Sequence, residues 1–229
     1  MNLVLLPGLD GTGTLFADLV AAIPDDIDVD VVRYPTNLSC YSAISDIVRS
    51  RMPRREPFVL LAESFSTPLA IQYAATNPAN LKALIVCAGF AASPVAGVRR
   101  IAYSALAPAL AGIALPKLAA RLLLVGLDAP DALVAAVQSA ISSVPSKTVA
   151  ARIRAVLACD VRVELNQIAV AVLYLRATQD RLVQASCLEE IQRIRPQTTA
   201  VAVYGPHLIV QREPAQTAAI IMRFIEQVS

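Results

Sequence analysis

The feature that most constrains the fold is a set of short apolar runs in which apolar and polar residues do not alternate. The runs are rich in β-branched residues, and continuous apolarity suits strands that are covered on both faces. Such strands are typical of a parallel sheet. We therefore predict a sheet of about six strands. The runs are Leu3–Leu6, Val29–Val32, Phe58–Leu61, Leu84–Cys87, Val170–Leu175 and Ala200–Tyr204.

Helical patterns separate these runs, with apolar residues at spacings of three and four. Residues 14–23 begin with Thr14, a residue type that often caps a helix. Alternation of strands and helices indicates an α/β fold with a doubly wound, mostly parallel sheet. The other predicted helices are Tyr41–Arg51, Thr67–Thr76 and Pro214–Val228.

Residues 93–154 depart from this alternation. They contain no convincing strand, only sequence rich in Ala and Leu that five prolines interrupt. We predict that residues 1–92 and 155–229 form the core and that 93–154 form a helical cap over one end of the sheet. Additional core helices would explain this stretch equally well. Candidates for an apolar pocket lining are Tyr103, Leu106, Leu110 and Leu115.

The composition excludes several classes of protein. Hydrophobic residues make up 56% of the chain and charged residues 17%, and the net charge is only +2, without a Lys/Arg cluster of the kind that binds nucleic acid. The first residues lack the basic segment of a signal peptide, and Pro or Gly interrupts the long apolar stretches, so we expect no transmembrane segment. Four cysteines without metal spacing fit a reduced, cytoplasmic setting, and we expect no metal and no cofactor.

Chemically distinctive segments follow four of the predicted strands. In a parallel sheet the carboxyl ends of the strands share one edge, which is where ligands bind. The only histidine of the chain, His207, lies in one of these segments. The four segments are residues 7–13, 63–65, 176–180 and 205–207.

Three of these segments carry the residue types of nucleophilic catalysis. A serine hydroxyl such as that of Ser64 needs a base within hydrogen-bond reach, and neutral imidazole suits that task. A carboxylate such as that of Asp180 can fix the tautomer of His207 and stabilise its charged form. The N–H of the residue after the serine, Phe65, and an N–H from the glycine-rich loop at 7–13 could bind the oxyanion.

The segments LPGLDGTG (6–13), AESFS (62–66), ATQD (177–180) and GPH (205–207) together resemble the α/β-hydrolase superfamily. The chain is particularly similar to small capped serine esterases, which include the pimeloyl-carrier methyl esterases. The resemblance implies Ser64 as nucleophile, His207 as base and Asp180 as the residue that orients the base. It also implies that the backbone N–H groups of Leu9 and Phe65 form the oxyanion hole.

The sequence departs from this superfamily in two ways. The usual G-x-S-x-G elbow has Ala62 and Ser66 in place of its glycines, the smallest replacements available. The first predicted strand is already the one that leads to the glycine-rich loop. We therefore expect a sheet that lacks the antiparallel hairpin which many relatives place first.

Other interpretations of single residues remain open. Ser64 alone could be a helix cap, and His207 or Asp180 alone could be structural or surface residues. Asp160 is a rival acid, but it precedes its strand and is therefore expected away from the carboxyl edge. We interpret Asp10 as a loop stabiliser and Glu63 as structural. The glycine-rich loop lacks the Lys-Ser/Thr pair and the glycine spacing of a nucleotide site.

The sequence predicts a cofactor-independent serine hydrolase that cleaves a carboxylic ester or thioester with an apolar acyl group through an acyl-enzyme. Its partner would be a small-molecule substrate, either free or attached to a carrier, and not nucleic acid. Amide hydrolysis, carbon–carbon bond hydrolysis and lyase chemistry remain open, since this superfamily performs many reactions with one triad. The alternative to an enzyme is a non-catalytic ligand receptor or interaction module on the same fold. Labelling of the serine by a fluorophosphonate probe would separate the two.

Overall fold

The computed structural model describes residues 1–95, 97, 101–105, 107 and 115–228. Six strands form one sheet in the order β2-β1-β3-β4-β5-β6, and each neighbouring pair is parallel. No antiparallel strand joins this sheet within the described ranges. The predicted parallel sheet of about six strands is therefore confirmed. The strands are β1 (Asn2–Leu6), β2 (Asp28–Val31), β3 (Phe58–Glu63), β4 (Leu81–Cys87), β5 (Ala171–Ala177) and β6 (Thr199–Val203).

Helices connect the strands and cover both faces of the sheet. Single 3₁₀ turns, Thr14–Phe16 and Ser64–Ser66, lead into α1 and α3, and α4 continues into a π-helix at Arg121–Val125. The α-helices are α1 (Ala17–Ala22), α2 (Tyr41–Arg51), α3 (Thr67–Ala74), α4 (Lys117–Ala120), α5 (Asp131–Ser142), α6 (Ser146–Ala158), α7 (Arg162–Gln167), α8 (Ala185–Ile194), α9 (Ile209–Arg212) and α10 (Pro214–Val228).

The continuous apolar runs arise because each strand has helices on both of its faces. Along β3 every residue is buried, and alternate side chains enter two different apolar clusters. Leu60 packs in the cluster beneath α2, α3, α7 and α8, whereas Leu61 packs in the cluster beneath α1, α9 and α10. The sheet is therefore doubly wound, as the sequence predicts.

The start of α1 differs from the prediction. Thr14 does not cap the helix, because its hydroxyl lies 2.8 Å from the Thr12 hydroxyl and the N-cap position of the 3₁₀ turn is Gly13. Gly13 has a φ of 71°, which a residue with a side chain adopts only with strain. The predictions for α2 and α10 agree with the observed bounds.

Where it is described, the region 93–154 contains α4, the π-helix, α5 and most of α6. A third apolar cluster joins α4, the π-helix and α5 to Leu208 of the core, with Leu15 and Leu115 packed against it. Tyr103 is about half exposed, at 46%, and the other two predicted lining residues, Leu106 and Leu110, lie outside the described residues. The division into core and cap remains a prediction.

The residues just before and just after the segment 93–159 lie next to each other. An isolated antiparallel bridge joins Ala92 to Asp160, and the N–H of Val161 donates to the carbonyl of Ala91. These contacts join the chain on either side of residues 93–159. Across the described ranges, no helix combines the length and the apolar character needed to cross a membrane.

Candidate active site

Ser64 lies on a sharp turn directly after β3. Its φ is 48°, in the left-handed region where a residue with a side chain is strained. Such strain is concentrated at functional sites, and a strained turn between a strand and a helix exposes a serine hydroxyl at the edge of the sheet. Ser64 is partly exposed, although Glu63 and Phe65 on either side of it are buried. The turn thus presents the Ser64 hydroxyl at the end of a buried strand, although neither neighbouring residue is a glycine.

His207 lies between Ser64 and Asp180. Its Nε2 is 2.9 Å from Ser64 Oγ, and its Nδ1 is 2.7 Å from Asp180 Oδ2. An imidazole that carries its proton on Nδ1 donates to the carboxylate and leaves Nε2 free to accept from the serine. The side chains of His207 and Asp180 are only 4% and 3% exposed. The structure thus brings together the three residues that the sequence singles out.

Hydrogen bonds hold the carboxylate of Asp180 in place. Its Oδ1 accepts from the N–H groups of Leu182 and Val183 at 2.8 and 2.9 Å, so that Oδ2 is left for His207. The loops after β5 and β6 are also joined directly, because the N–H of Gln179 donates to the carbonyl of Gly205 at 2.8 Å. The acid and the imidazole are therefore carried by two connected loops.

The loop after β1 lies beside Ser64 because β1 and β3 are neighbours in the sheet. The carbonyl of Gly8 accepts from the N–H of Gly11 at 3.1 Å, which closes a turn centred on Leu9 and Asp10. All described peptide bonds are trans, so the Leu9 N–H points away from the Gly8 carbonyl and out of the turn. The role of this N–H group in an oxyanion hole remains a prediction.

The hydroxyl of Ser66 joins the elbow to that loop. Ser66 is completely buried; its Oγ donates to the carbonyl of Pro7, and the hydroxyl of Tyr34 lies 2.6 Å from the same Oγ. Burial raises the pKa of Tyr34, which keeps this phenol protonated and able to donate. The serine at a position usually occupied by glycine is thus more than a small residue, because it fixes the loop after β1.

Glu63, the residue before Ser64, is a buried carboxyl. It is 2% exposed, and its Oε2 lies 3.3 Å from Nε2 of Gln211. Burial raises its pKa to about 7, and the nearby His207 opposes this rise. Its other oxygen, Oε1, has no hydrogen-bond partner among the described residues.

The sequence interpretation missed Arg152, a fully buried side chain of α6. Its guanidinium donates to the carbonyl oxygens of Leu9 and Asp10 at 2.9 and 2.8 Å. A signal was present in the sequence, because Arg152 follows Val149 by three residues and precedes Val156 by four, which places it on the apolar face of α6. A cation in phase with an apolar stripe indicates a buried partner rather than solvent.

The two other aspartates considered from the sequence, Asp160 and Asp10, have partners elsewhere. Asp160 forms an exposed ion pair with Arg162, with 2.8 Å between Oδ1 and Nε. Asp10 acts within its own loop, as expected, because its Oδ2 accepts from the N–H and the hydroxyl of Thr12. In the described part of the chain, no group of three or more His, Cys, Asp or Glu side chains is arranged to hold a metal ion.

No protein-family model matches the chain, and no curated protein matches its sequence. Solved structures, by contrast, match almost its whole length. MenH from S. aureus has a TM-score of 0.79 and 15% identity, and the match covers 99% of this chain and 94% of that chain. The enol-lactonase from Burkholderia xenovorans LB400 has a TM-score of 0.80 and 16% identity, and the match covers 98% of this chain and 91% of that chain. The bromoperoxidase from Bacillus anthracis has a TM-score of 0.84 and 11% identity, and the match covers 98% of this chain and 91% of that chain. This chain therefore has the α/β-hydrolase fold that its four strand-end segments predict.

Proposed function

We propose that the protein is a serine hydrolase that cleaves a carboxylic ester or thioester with an apolar acyl group through an acyl-enzyme. Ser64 is the nucleophile, His207 the base and Asp180 the residue that orients the base. The backbone N–H groups of Leu9 and Phe65 bind the oxyanion. The reaction needs no cofactor, since the base and the oxyanion donors come from the chain itself.

The observation that carries this proposal is the unbroken path of hydrogen bonds from Ser64 to Asp180. It consists of the 2.9 Å contact between Ser64 Oγ and His207 Nε2 and the 2.7 Å contact between His207 Nδ1 and Asp180 Oδ2. A nucleophile within reach of a base that a third group orients is the arrangement required to activate a serine hydroxyl.

Acylation follows from this geometry. As Ser64 Oγ attacks the acyl carbon, its proton passes to His207 Nε2, and the carbonyl oxygen becomes an oxyanion. The N–H groups of Leu9 and Phe65 stabilise that oxygen, and Asp180 stabilises the imidazolium. When the tetrahedral intermediate collapses, His207 returns the proton to the leaving alcohol or thiol, and the acyl group stays on Ser64.

Deacylation repeats these steps with water in place of the serine. His207 takes a proton from the water as the water attacks the acyl carbon, and a second oxyanion forms in the same place. Collapse then releases the carboxylic acid, and the proton on His207 returns to Ser64 Oγ. The enzyme is restored without any group from outside the chain other than water.

The surroundings of the site support an apolar acyl group. Leu208 follows His207 directly, and it packs together with Leu15 in the third apolar cluster, formed with α4, the π-helix and α5. Leu118 and Leu127 in the same region expose 62% of their surface each. An enol-lactonase among the similar structures supports cleavage of an ester. The substrate is a small molecule, free or attached to a carrier.

The decisive experiment is labelling with a fluorophosphonate probe, followed by peptide mapping. We expect one probe per chain, attached to Ser64, with labelling abolished in Ser64→Ala. Ser50→Ala, which changes an exposed serine of α2, is the matched control and should label like the wild type. Folded wild-type protein that stays unlabelled would favour the non-catalytic receptor.

If the wild-type protein reacts with the probe, a fresh sample that has not been exposed to it should then be tested for turnover. A series of p-nitrophenyl esters of increasing chain length tests the preference for apolar acyl groups, and methyl esters and acyl-carrier thioesters test the leaving group. We expect kcat/KM to rise with acyl length before it levels off. A preference for the acetyl ester over all longer esters would contradict the proposed apolar acyl site.

A further inference from the structure

We propose that Arg152 is a positioning residue for the oxyanion hole, through which helix α6 holds the loop after β1 in its active conformation. This inference rests on the proposed function, because it concerns the donors that stabilise the oxyanion. It goes beyond that function by assigning a role to a buried cation in the predicted helical cap. Arg152 itself does not contact the reacting atoms.

Among the described residues, the guanidinium of Arg152 donates its hydrogen bonds to backbone carbonyl groups. Besides Leu9 and Asp10, it donates to Pro35 at 3.2 Å through Nη2 and to Leu38 at 3.0 Å through Nε. Within the described ranges no carboxylate forms an ion pair with it. The planar guanidinium of arginine has five N–H donors and can reach several carbonyl groups on two loops at once, whereas a lysine ammonium has three donors at a single nitrogen.

These contacts complete the anchoring of the loop from residue 7 to residue 11. Each of its five carbonyl groups accepts a hydrogen bond from within the protein, so none is free to rotate into the space beside Ser64. A peptide flip that turned a carbonyl toward the oxyanion would break at least one of these bonds. The donors are Ser66 Oγ to Pro7, Gly11 N to Gly8, Arg152 Nη1 to both Leu9 and Asp10, and Tyr34 N to Gly11.

The loop is shaped around the guanidinium. A Cβ atom at Gly11 would lie only 2.7 Å from Nη1 of Arg152 and 2.9 Å from Cδ2 of Tyr34, so that these side chains would have to move to admit it. Gly11 also has a φ of 70°, where glycine is favoured. Both the space and the backbone conformation at Gly11 thus fit an arginine that approaches the turn closely.

Arg152 also contacts the residue that supplies the second N–H donor. Its guanidinium carbon lies 5.8 Å from the centre of the Phe65 ring, within the range of a cation–π interaction. Tyr41 stacks on the same ring, with 4.9 Å between the ring centres. One side chain of α6 is therefore in contact with both Leu9 and Phe65, the two residues whose N–H groups are proposed to bind the oxyanion.

The test compares Arg152→Met and Arg152→Lys with Arg195→Met. Arg195 is the matched control because it is also buried and donates to backbone carbonyls, those of Ile168 and Val170, at the amino end of β5. For each folded variant, kcat and KM for one p-nitrophenyl ester are measured together with Tm. Amide hydrogen exchange of the segment 8–11 provides a readout that needs no catalysis.

We expect Arg152→Met to lower kcat by about 100-fold with KM changed less than about threefold, because misplaced donors weaken the transition state more than substrate binding. Exchange of the 8–11 amides should accelerate at least about tenfold, as their local structure opens more often. Arg152→Lys should lie between Arg152→Met and the wild type, and it serves in place of Arg152→Met if the latter does not fold. Arg195→Met should lower Tm but leave kcat and this exchange unchanged.

A different pattern would overturn the proposal. If Arg152→Met loses stability but keeps kcat and the 8–11 exchange at the values of Arg195→Met, the residue only holds the fold together. Failure of the proposed function has another signature, since wild-type protein would then neither label at Ser64 nor turn over. Unchanged exchange in the Arg152 variants would refute the positioning role even in that case.

Discussion

Ser66 donates a hydrogen bond from its hydroxyl to the carbonyl of Pro7, and the Tyr34 hydroxyl lies 2.6 Å from the same Ser66 oxygen. A residue of the elbow is thereby joined to the loop that carries Leu9. A glycine, the usual residue at this position, has no side chain and could not connect the segments that follow β1 and β3 in this way.

Ser66→Ala should destabilise the fold by about 1–3 kcal/mol, because it leaves the Pro7 carbonyl and the Tyr34 hydroxyl buried without a partner. Chemical denaturation measures the change in the free energy of unfolding. Tyr34→Phe is the control, since it removes one hydroxyl but keeps the bond from Ser66 to Pro7, and it should cost less. A smaller loss in Ser66→Ala than in Tyr34→Phe would contradict this account.

Ser64→Ala and His207→Ala should each lower kcat by roughly 10⁴-fold or more, because each removes an essential part of the proposed proton-transfer path. The double variant should be little worse than either single variant, since the two residues act as a unit. Steady-state kinetics on one ester with Tm measured in parallel provides the check. Additive losses in the double variant would count against the assignment.

Asp180→Asn should lower kcat by about 10³–10⁴-fold, because an amide nitrogen facing His207 Nδ1 favours the wrong tautomer of the imidazole. The measurement is kcat on the same ester. Asp160→Asn is the matched control; this carboxylate pairs with Arg162 on the surface, and its loss should change kcat less than about threefold. Equal losses in the two variants would show that Asp180 has no special role.

Glu63 should make the stability of the protein fall between acidic and neutral pH. Burial raises its pKa from 4.5 to about 7, so the folded protein holds this proton more tightly than the unfolded chain does. The resulting stabilisation is present below pH 4.5 and is lost as the pH rises through about 7. Its size is on the order of 3 kcal/mol, since one pKa unit corresponds to about 1.4 kcal/mol.

Glu63→Gln, which stays neutral, should lack this loss. The free energy of unfolding of wild type and variant is measured between pH 5 and pH 8. As the pH rises, the wild type should lose stability relative to the variant. Glu56→Gln, at an exposed position, should follow the wild-type curve. Parallel curves for wild type and Glu63→Gln would contradict burial as the dominant influence on this carboxyl.

The sequence predicts most of the fold because the apolar patterns here follow from burial alone. β3 is buried along its whole length, and its run of apolar residues identifies it without knowledge of its neighbours. The helix at Pro214–Val228 is equally clear, because one stripe of it packs on the sheet. The start of α1 is not predictable in this way, since it depends on a contact between Thr12 and Thr14 and on the backbone of Gly13.

The same distinction, between features that follow from the sequence pattern and features that depend on specific contacts, applies to the candidate site. Ser64, Asp180 and His207 can be found from the sequence because parallel strands deliver them to one edge, whatever the details of packing. The roles of Arg152 and Ser66 cannot be found in this way. The phase of Arg152 with the apolar face of α6 indicates only that it is buried, and the partners of both side chains are backbone carbonyl groups, which every residue has and no pattern marks. Side chains that act on the main chain leave little trace in the sequence of the segment they bind.

The hydrogen bond from Gln179 to Gly205 has a consequence for motion at the site. Because it ties the segment bearing Asp180 to the segment bearing His207, a displacement of one drags the other along. We therefore expect the imidazole and the carboxylate to keep their mutual alignment when the distance to the Ser64 oxygen changes in the proposed reaction.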